Sequence, residues 1–593
     1  MKKLLSLILA VIVVCSALAS CSTLAKGDKG AYITMYLAEE IYDFDPTLPI
    51  TDTATAKILS LMYEGLTTLD ENGNWKKGMM KSYKYIEPEE EDGVYKLQIT
   101  LRDTKWSDGR TVQADDFVYA WKRIMETTSK CESASLLYDV LNARSVKMGD
   151  ASVDDLGVYA IDTYVLEVQF AKDIDLDEFF INCASLALVP LRDDSVSSNK
   201  YWSKRASSLL TNGPFDARSI AYGKELMLER SAYYYRDTES NQPLDKYVIP
   251  YRIYVIYKDC DNAAQVAKYE AGNTFYLGQI ALAARKDYAD KAQVTDSPIT
   301  TSLYFNTDKE IFAKPEVRQA LSLALDRDAI AQELVFAKAA TGFVPFGVND
   351  ANGKGDFRET ADAKGALIET KANISVAKDL LSKAGVTGGS FKITVRDNET
   401  DVAVANAAKA AWGQLNFTVT VDVVNTNVIA GTDNQSDVCE DIFQTKYAAR
   451  DFDVMLVDYN MLSANAFSAL AHFATDFSGN GILLDAQSDK SEKIGHITGY
   501  DSEEYTALIE KAIAAENSAD EIAALHEAEA KLLADMPVIP VVFQQDAFVA
   551  SDSLSGIKST YWGRDFKDTK MKDYMTVKDS LKEEIDKEET QAY

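Results

Sequence analysis

An α/β fold is what this sequence predicts, and three stretches carry the prediction. Phe391 to Val395 reads as a strand, Val402 to Trp412 as a helix and Phe417 to Val424 as a strand, a βαβ-like succession. Tyr95 to Leu101 alternates in the strand manner, with Tyr95, Leu97, Ile99 and Leu101 on one face. Gln113 to Met125 places Phe117, Trp121 and Ile124 on one helical face.

Each element has its own local reason. Ala31 to Leu37 reads as a strand, and Ala54 to Tyr63 has helical spacing. In the Gln113–Met125 helix, Asp115 and Asp116 occupy the first turn, where negative charge suits the helix dipole. Lys314-Pro315-Glu316 opens another helix, with proline at its first position and Val317, Leu321 and Ala324 on its buried face. Gly385 ends the helix that runs through Asp379 to Ala384. After Asp501 come two helices, one carrying Tyr505, Leu508, Ile509 and Ala512, the other Ile522, Leu525 and Leu532. Met536-Pro537 stops the second, and Val538 to Phe543 reads as a strand. From Ser580 the chain is nearly all charged and polar, the composition of a disordered tail.

The first residues set the address. Lys2 and Lys3 precede an apolar run from Leu4 to Val14, and small residues follow up to Leu18-Ala19-Ser20-Cys21. A basic start, a short apolar stretch and small residues before a cleavage point describe a secretory signal over residues 1–20. The ending resembles a bacterial lipobox, in which cleavage leaves Cys21 as a lipid-bearing N-terminus; the alternatives are an ordinary signal with a chance cysteine and an uncleaved anchor. Residues 21–30 then read as a polar tether.

Bulk properties exclude several functions. The chain has 593 residues, 26% of them charged and 47% hydrophobic, as in a soluble protein of several domains. Its formal charge of −30 opposes nucleic-acid binding and weakly favours cationic ligands. Beyond Cys15 and Cys21, Cys131, Cys183, Cys260 and Cys439 are widely spaced, with a Cys131–Cys183 bridge open. Neither a CxxC pair nor a clustering of the three histidines points to a metal, and no cofactor is expected. A Gly-x-Ser-x-Gly elbow, a His-Glu-x-x-His pair and a cysteine–histidine signature are all missing, so no sequence signature points to an enzyme.

A series of motifs sharpens this. Tyr63-Glu64-Gly65-Leu66, Lys105-Trp106-Ser107-Asp108-Gly109, Asp116 to Arg123, Thr211-Asn212-Gly213-Pro214-Phe215, Val317-Arg318-Gln319-Ala320-Leu321 with Leu325-Asp326-Arg327, and Met536-Pro537-Val538-Ile539-Pro540 occur in that order. Taken together, they resemble family 5 of the bacterial extracellular solute-binding proteins, the oligopeptide-binding proteins of ABC importers, from about Ala31 to Val577. Read singly, the motifs are scaffold. Trp106 is a core aromatic beside a tight turn, Glu64-Gly65 a chain turn, and Asp326-Arg327-Asp328 a charge cluster on a helix surface.

The resemblance implies a periplasmic-binding-protein-like type II fold: two lobes with a hinge plus an extra domain, the three-domain cluster C architecture. Lobe I would take residues 30–75, 190–301 and 544–593, domain II 76–189, and lobe III 302–543. The chain would cross between lobes near 300–303 and 543–547. The implied partners are an extended oligopeptide, paired as an added strand, and the subunits of an ABC permease, the protein itself being a monomer on the outer face of the membrane. The same fold with a sugar oligomer, an opine-like compound or a metal chelate as cargo is the alternative.

Relatives hold the peptide's α-ammonium on an aspartate in a Trp-x-Ala-Asp-Tyr segment. Here Met455, Val457, Asp458 and Tyr459 occupy those positions, so the tryptophan and alanine are replaced and Asp458-Tyr459 retained. Asp458 is the leading ligand residue, against the plain reading of an aspartate turning the chain after a strand. Tyr459 is packing support beside the ligand. Tyr304 and Asn306, in the entry strand of lobe III, line the cleft floor by the same resemblance, and Thr53 belongs to the Ile50–Thr55 loop that faces the ligand from lobe I. An insertion at Asn425–Ala449 either reshapes the cleft entrance or loops out on the surface.

Overall fold

The computed structural model describes residues 31–88, 93–234, 250–256, 262–351, 355–431, 436–484 and 491–572. The signal, Cys21 and its tether, Cys260 and the charged tail lie outside the described residues.

Eleven strands form one mixed sheet that runs the length of the molecule. Its first half centres on Ala31–Tyr36, parallel to Pro250–Ile256, which pairs with the Glu225–Arg230 and Phe215–Ala221 hairpin. Its second half holds Gly389–Arg396, parallel to Phe417–Val424 on one side and to Val454–Asn460 on the other. The helix Glu399–Gly413 connects the first two of these, so the expected βαβ unit is present. No helix among the described residues is long and apolar enough to cross a membrane.

Two long strands join the halves. Gln293–Phe305 and Val538–Ala550, of 13 residues each, run antiparallel through the middle of the sheet. Their pairing is irregular between Asp296 and Thr300 and again between Thr301 and Ser302. Pro298 sits in the first irregularity and Pro540 beside the second, and neither can donate to the ladder. The Val538–Phe543 strand expected from the sequence therefore continues seven residues further, to Ala550. Polar Gln544, Gln545 and Asp546 broke the apolar pattern without ending the strand, because they face a cavity and a buried ion pair.

Beside this sheet stands a separate antiparallel one of four strands, Met80–Ile86, Tyr95–Leu101, Val165–Phe170 and Val158–Asp162. Leu97, Ile99 and Leu101 are buried, as their alternation requires, while Tyr95 is partly buried. The helix Ala114–Met125 packs here through Phe117, Trp121 and Ile124. One carboxylate secures its start: Asp116 accepts the Gln113 backbone N–H at 2.8 Å and the Trp106 indole N–H at 2.9 Å. The Trp-Ser-Asp-Gly turn is thereby tied to the helix that follows it. Gly109 in that turn has φ of 86°, a left-handed conformation that glycine adopts without steric cost.

The Asn-Gly-Pro-Phe motif has an equally local purpose. Gly213 donates to the Met62 carbonyl at 2.8 Å, and a Cβ there would lie 2.4 Å from the same peptide group. Gly213→Ala is therefore expected to lower stability by about 1–3 kcal/mol through forced separation of the two segments. Urea unfolding measures this, and an unchanged midpoint would refute the close-approach account.

One sequence reading needs correction, and one left open is resolved. Arg327 is not a surface charge: it is 1% exposed and donates to the carbonyls of Pro540, Ser322 and Glu369 and to the Ser322 hydroxyl. Carbonyls left over at chain turns supply enough acceptors to bury the guanidinium. Cys131 and Cys183 form no bridge; they and Cys439 are buried free thiols. Burial alone raises the Cys183 pKa far above the usual thiol range, which makes it inert.

Candidate functional site

A cavity of about 620 Å³ opens between the two halves of the sheet. One wall is the chain leaving the Ala31–Tyr36 strand, together with the Ile50–Thr55 loop and Asn262. The facing wall is the turn from Gly389–Arg396 into the helix Glu399–Gly413. Asn425, Thr426, Asp441, Phe443 and Gln444 complete it, so both ends of the 425–449 insertion line the cavity. Between them the insertion forms the ribbon Asn427–Ile429 with Val438–Glu440, and residues 432–435 lie outside the described residues. Lys204 and Arg205 donate to the Cys439 and Ser436 carbonyls at 3.1 and 3.0 Å, binding the insertion to the first half of the sheet.

Hydrogen bonds also cross the cavity floor. Arg396 donates to Asp441 at 2.9 Å within its own half and to the Thr51 hydroxyl of the facing loop at 2.9 Å. Thr51 in turn donates to Gln444 at 3.1 Å. Asn460 holds the same loop, its side-chain amide reaching the Asp52 carbonyl at 2.7 Å.

A second, smaller cavity adjoins the first through Glu39, Thr53 and Asn398. Asp458 lines it and is 4% exposed. The register explains its position. Asp458 is paired across the ladder with Thr301 of the long Gln293–Phe305 strand. The Thr301 hydroxyl donates to Asp458 and accepts from Gln544 at 2.7 Å. The other partner of Asp458 is the carboxyl of Asp401, 2% exposed. Burial raises the pKa of both, that of Asp401 further because Asp458 and Glu39 repel its charge. Asp401 is therefore the harder of the two to ionise, and its carboxyl is hydrogen-bonded to Asp458. Asp546 sits in the same cavity with Lys57 at 2.7 Å and Arg564 at 2.9 Å. Burial opposes its ionisation, yet those two cations together keep its carboxyl below the usual range.

The structure brings Asp458 and Thr53 to the cavities, and Thr53 lines both. Tyr459, Tyr304 and Asn306 line none of the described cavities. Tyr459 faces away from Asp458 by strand alternation and stacks on His472 at 4.8 Å between ring centres. Tyr304 is buried against His496, with its hydroxyl unpartnered. Asn306 donates to the Arg450 and Phe452 carbonyls, each at 3.3 Å, which fixes a turn below the sheet. The placement of Tyr304 and Asn306 on the cleft floor is thus corrected. These positions fall past the crossing point, where the strand is enclosed on both faces.

Sequence reasoning missed Glu39, Asn262, Arg396 and Glu399. A signal exists for three of them: Glu39-Glu40 and Arg396-Asp397-Asn398-Glu399 are polar runs directly following apolar strands. In open α/β sheets such strand ends are where ligands bind.

A sheet in two halves joined by paired long strands, with a cavity enclosed between the halves, defines a solute-binding protein. The comparisons agree. The sequence model of the bacterial extracellular solute-binding proteins, family 5 Middle, matches residues 76–481, and the chain belongs to this family. It is a binding protein, not an enzyme. It is 22% identical over 592 residues to the oligopeptide-binding protein OppA of Bacillus subtilis, covering 94% of this chain and 97% of that one. It is 26% identical over 541 residues to the dipeptide-binding protein DppE of the same organism, covering 90% of each. Among solved structures, Listeria monocytogenes OppA bound to peptide superposes with a TM-score of 0.73 at 19% identity, over 92% of this chain and 99% of that chain. The expected cluster C α/β fold is thereby established.

Proposed function

We propose that this protein captures extracellular oligopeptides between two closing lobes and delivers them to an ABC permease, while lipid on Cys21 holds it at the membrane. The cavity between the halves of the sheet supports this reading, with Asp458 lining the smaller cavity that adjoins it. Its volume of about 620 Å³ lies within the usual span of small-ligand sites. Asp458 is the anchor for the peptide's α-ammonium, which would take over the position that the Asp401 carboxyl now holds. Thr53 faces the peptide from lobe I. The Gln293–Phe305 and Val538–Ala550 strands serve as the hinge, with lobes divided at 30–75, 190–301 and 544–593 against 302–543, and residues 76–189 as domain II.

The same fold serves other cargo, since AgaA, solved in complex with agropinic acid, superposes with a TM-score of 0.69. The carboxylate-rich walls here oppose an acidic solute of that kind.

The test is mass spectrometry of ligand released from the purified protein, followed by titration with short mixed peptides. Peptides in the eluate and saturable binding are expected. A glycan or chelate in their place would overturn the peptide assignment. Cys21→Ala is expected to release the protein from membranes into the medium, and unchanged membrane association would refute the lipid anchor.

A further inference from the structure

The large cavity is electrostatically one-sided. Eight carboxyl groups line it, against a single cation, Arg396. Three of the eight are neutralised by neighbouring cations: Asp43 by Lys204 at 3.3 Å, Asp45 by Arg123 at 2.6 Å and Asp441 by Arg396 itself. Glu39, Glu40, Asp52, Asp397 and Glu399 make no ion pair among the described residues.

Two of these five meet across the cleft. Glu39 leaves the first half of the sheet and Glu399 opens a helix of the second. A single side-chain nitrogen, Nδ2 of Asn262, donates to both, at 3.0 Å to Glu39 and 2.9 Å to Glu399. An amide offers two protons but no charge, so Asn262 does not cancel the repulsion between the facing carboxylates, and the Leu282 backbone N–H that Glu399 also accepts at 2.8 Å is likewise neutral. The Arg285 charge acts on both and offsets part of that repulsion, but its donors are spent on the Ile280 and Leu334 carbonyls and the Thr400 hydroxyl, so it makes no direct contact with either. Burial, with repulsion from Glu399 and Asp52, pushes the Glu39 pKa up to about 7.

We infer that this cavity is a cation subsite, in which an alkylammonium or guanidinium side chain of the cargo sits between Glu39 and Glu399. The inference rests on the peptide reading above for the source of that group, and it makes basic peptides the preferred cargo. A lysine or arginine side chain supplies the charge that Asn262 lacks and carries an apolar stem suited to the Ile41, Ile50 and Val402 portions of the wall.

The experiment is calorimetric titration of the full chain with tetra-alanine peptides bearing lysine, glutamine or glutamate at each position in turn, and separately with spermidine. At one position or more, the lysine peptide is expected to bind about tenfold or more tightly than its glutamine counterpart, with the glutamate peptide weakest. The doubly substituted chain Glu39→Gln, Glu399→Gln is expected to lose most of that lysine-to-glutamine ratio. Equal affinity for all three peptides at every position would overturn the cation subsite while leaving peptide capture standing. Spermidine binding without any peptide binding would uphold the subsite and overturn the peptide source. If neither binds, both fall. The ratio in the unsubstituted chain decides the matter even where the double variant fails to fold.

Discussion

Asp458→Asn is expected to weaken binding of peptides with a free N-terminus by about 10-fold to 100-fold, while acetylated peptides of the same sequence lose far less. The amide keeps the volume and the contact with the Thr301 hydroxyl, so the lost affinity reports the charge. The selective loss follows from how Asp458 is held. Its present partners are a hydroxyl and a second carboxyl that burial and repulsion make hard to ionise, and Asp458 itself is only 4% exposed. An ammonium group entering the adjoining cavity would give Asp458 a directly hydrogen-bonded cation, which neither of its present partners is, in a setting where water screens little. Equal losses for free and acetylated peptides, measured by titration, would remove the ammonium role and leave Asp458 as a strand-end residue.

The second large effect concerns stability. Glu529 lies on the helix Ser518–Asp535 and is fully buried. It accepts the guanidinium of Arg358, equally buried, and the backbone N–H groups of Phe343 and Val344 at 2.8 and 2.9 Å. Arg358 also donates to the Val344 carbonyl at 2.8 Å. The pair thus pins the 342–344 segment between two helices. Glu529→Ala leaves Arg358 with only its longer carboxylate contact, to Asp362 at 3.4 Å, and strands two backbone donors, and is expected to cost about 3–5 kcal/mol. The double change Glu529→Leu, Arg358→Met should recover much of that loss, because it removes the weakly paired charge. Denaturant midpoints of the single and double variants test this. A double variant no more stable than the single would mean that the backbone contacts, and not the weakly paired charge, set the cost.

Local patterns were the legible part of the fold. The Tyr95–Leu101 strand, the Gln113-capped helix, the βαβ unit and the Gly385 helix stop depend on neighbours in sequence, and periodicity and capping chemistry report those directly. Arg327 was misread because its acceptors, the Pro540 and Glu369 carbonyls, come from remote segments. Tyr304 and Asn306 were placed by analogy of position along a strand, whereas their facing depends on where that strand enters the interior. The acidic cleft shows the same limit. Residues 39–55, 262, 396–402 and 441–444 meet only after the sheet forms, so a net charge of −30 read along the chain does not reveal that eight acids converge. Asp458 was singled out because a motif accompanies it; its partner Asp401 has no such flag.

The two long central strands carry one more consequence. Gln293–Phe305 and Val538–Ala550 are hydrogen-bonded to each other on both sides of their irregular stretch, so they act as a two-ply strap and not as a pair of independent cords. A strap of this kind flexes across its flat face far more readily than it shears along its length, because sliding would break every rung of the ladder at once. Any swing of one half of the molecule against the other is thus confined to nearly a single arc. If the halves close about this strap, as the proposed capture requires, walls that separate along one arc return to the same alignment at each closure and bring Glu39 and Glu399 back into register.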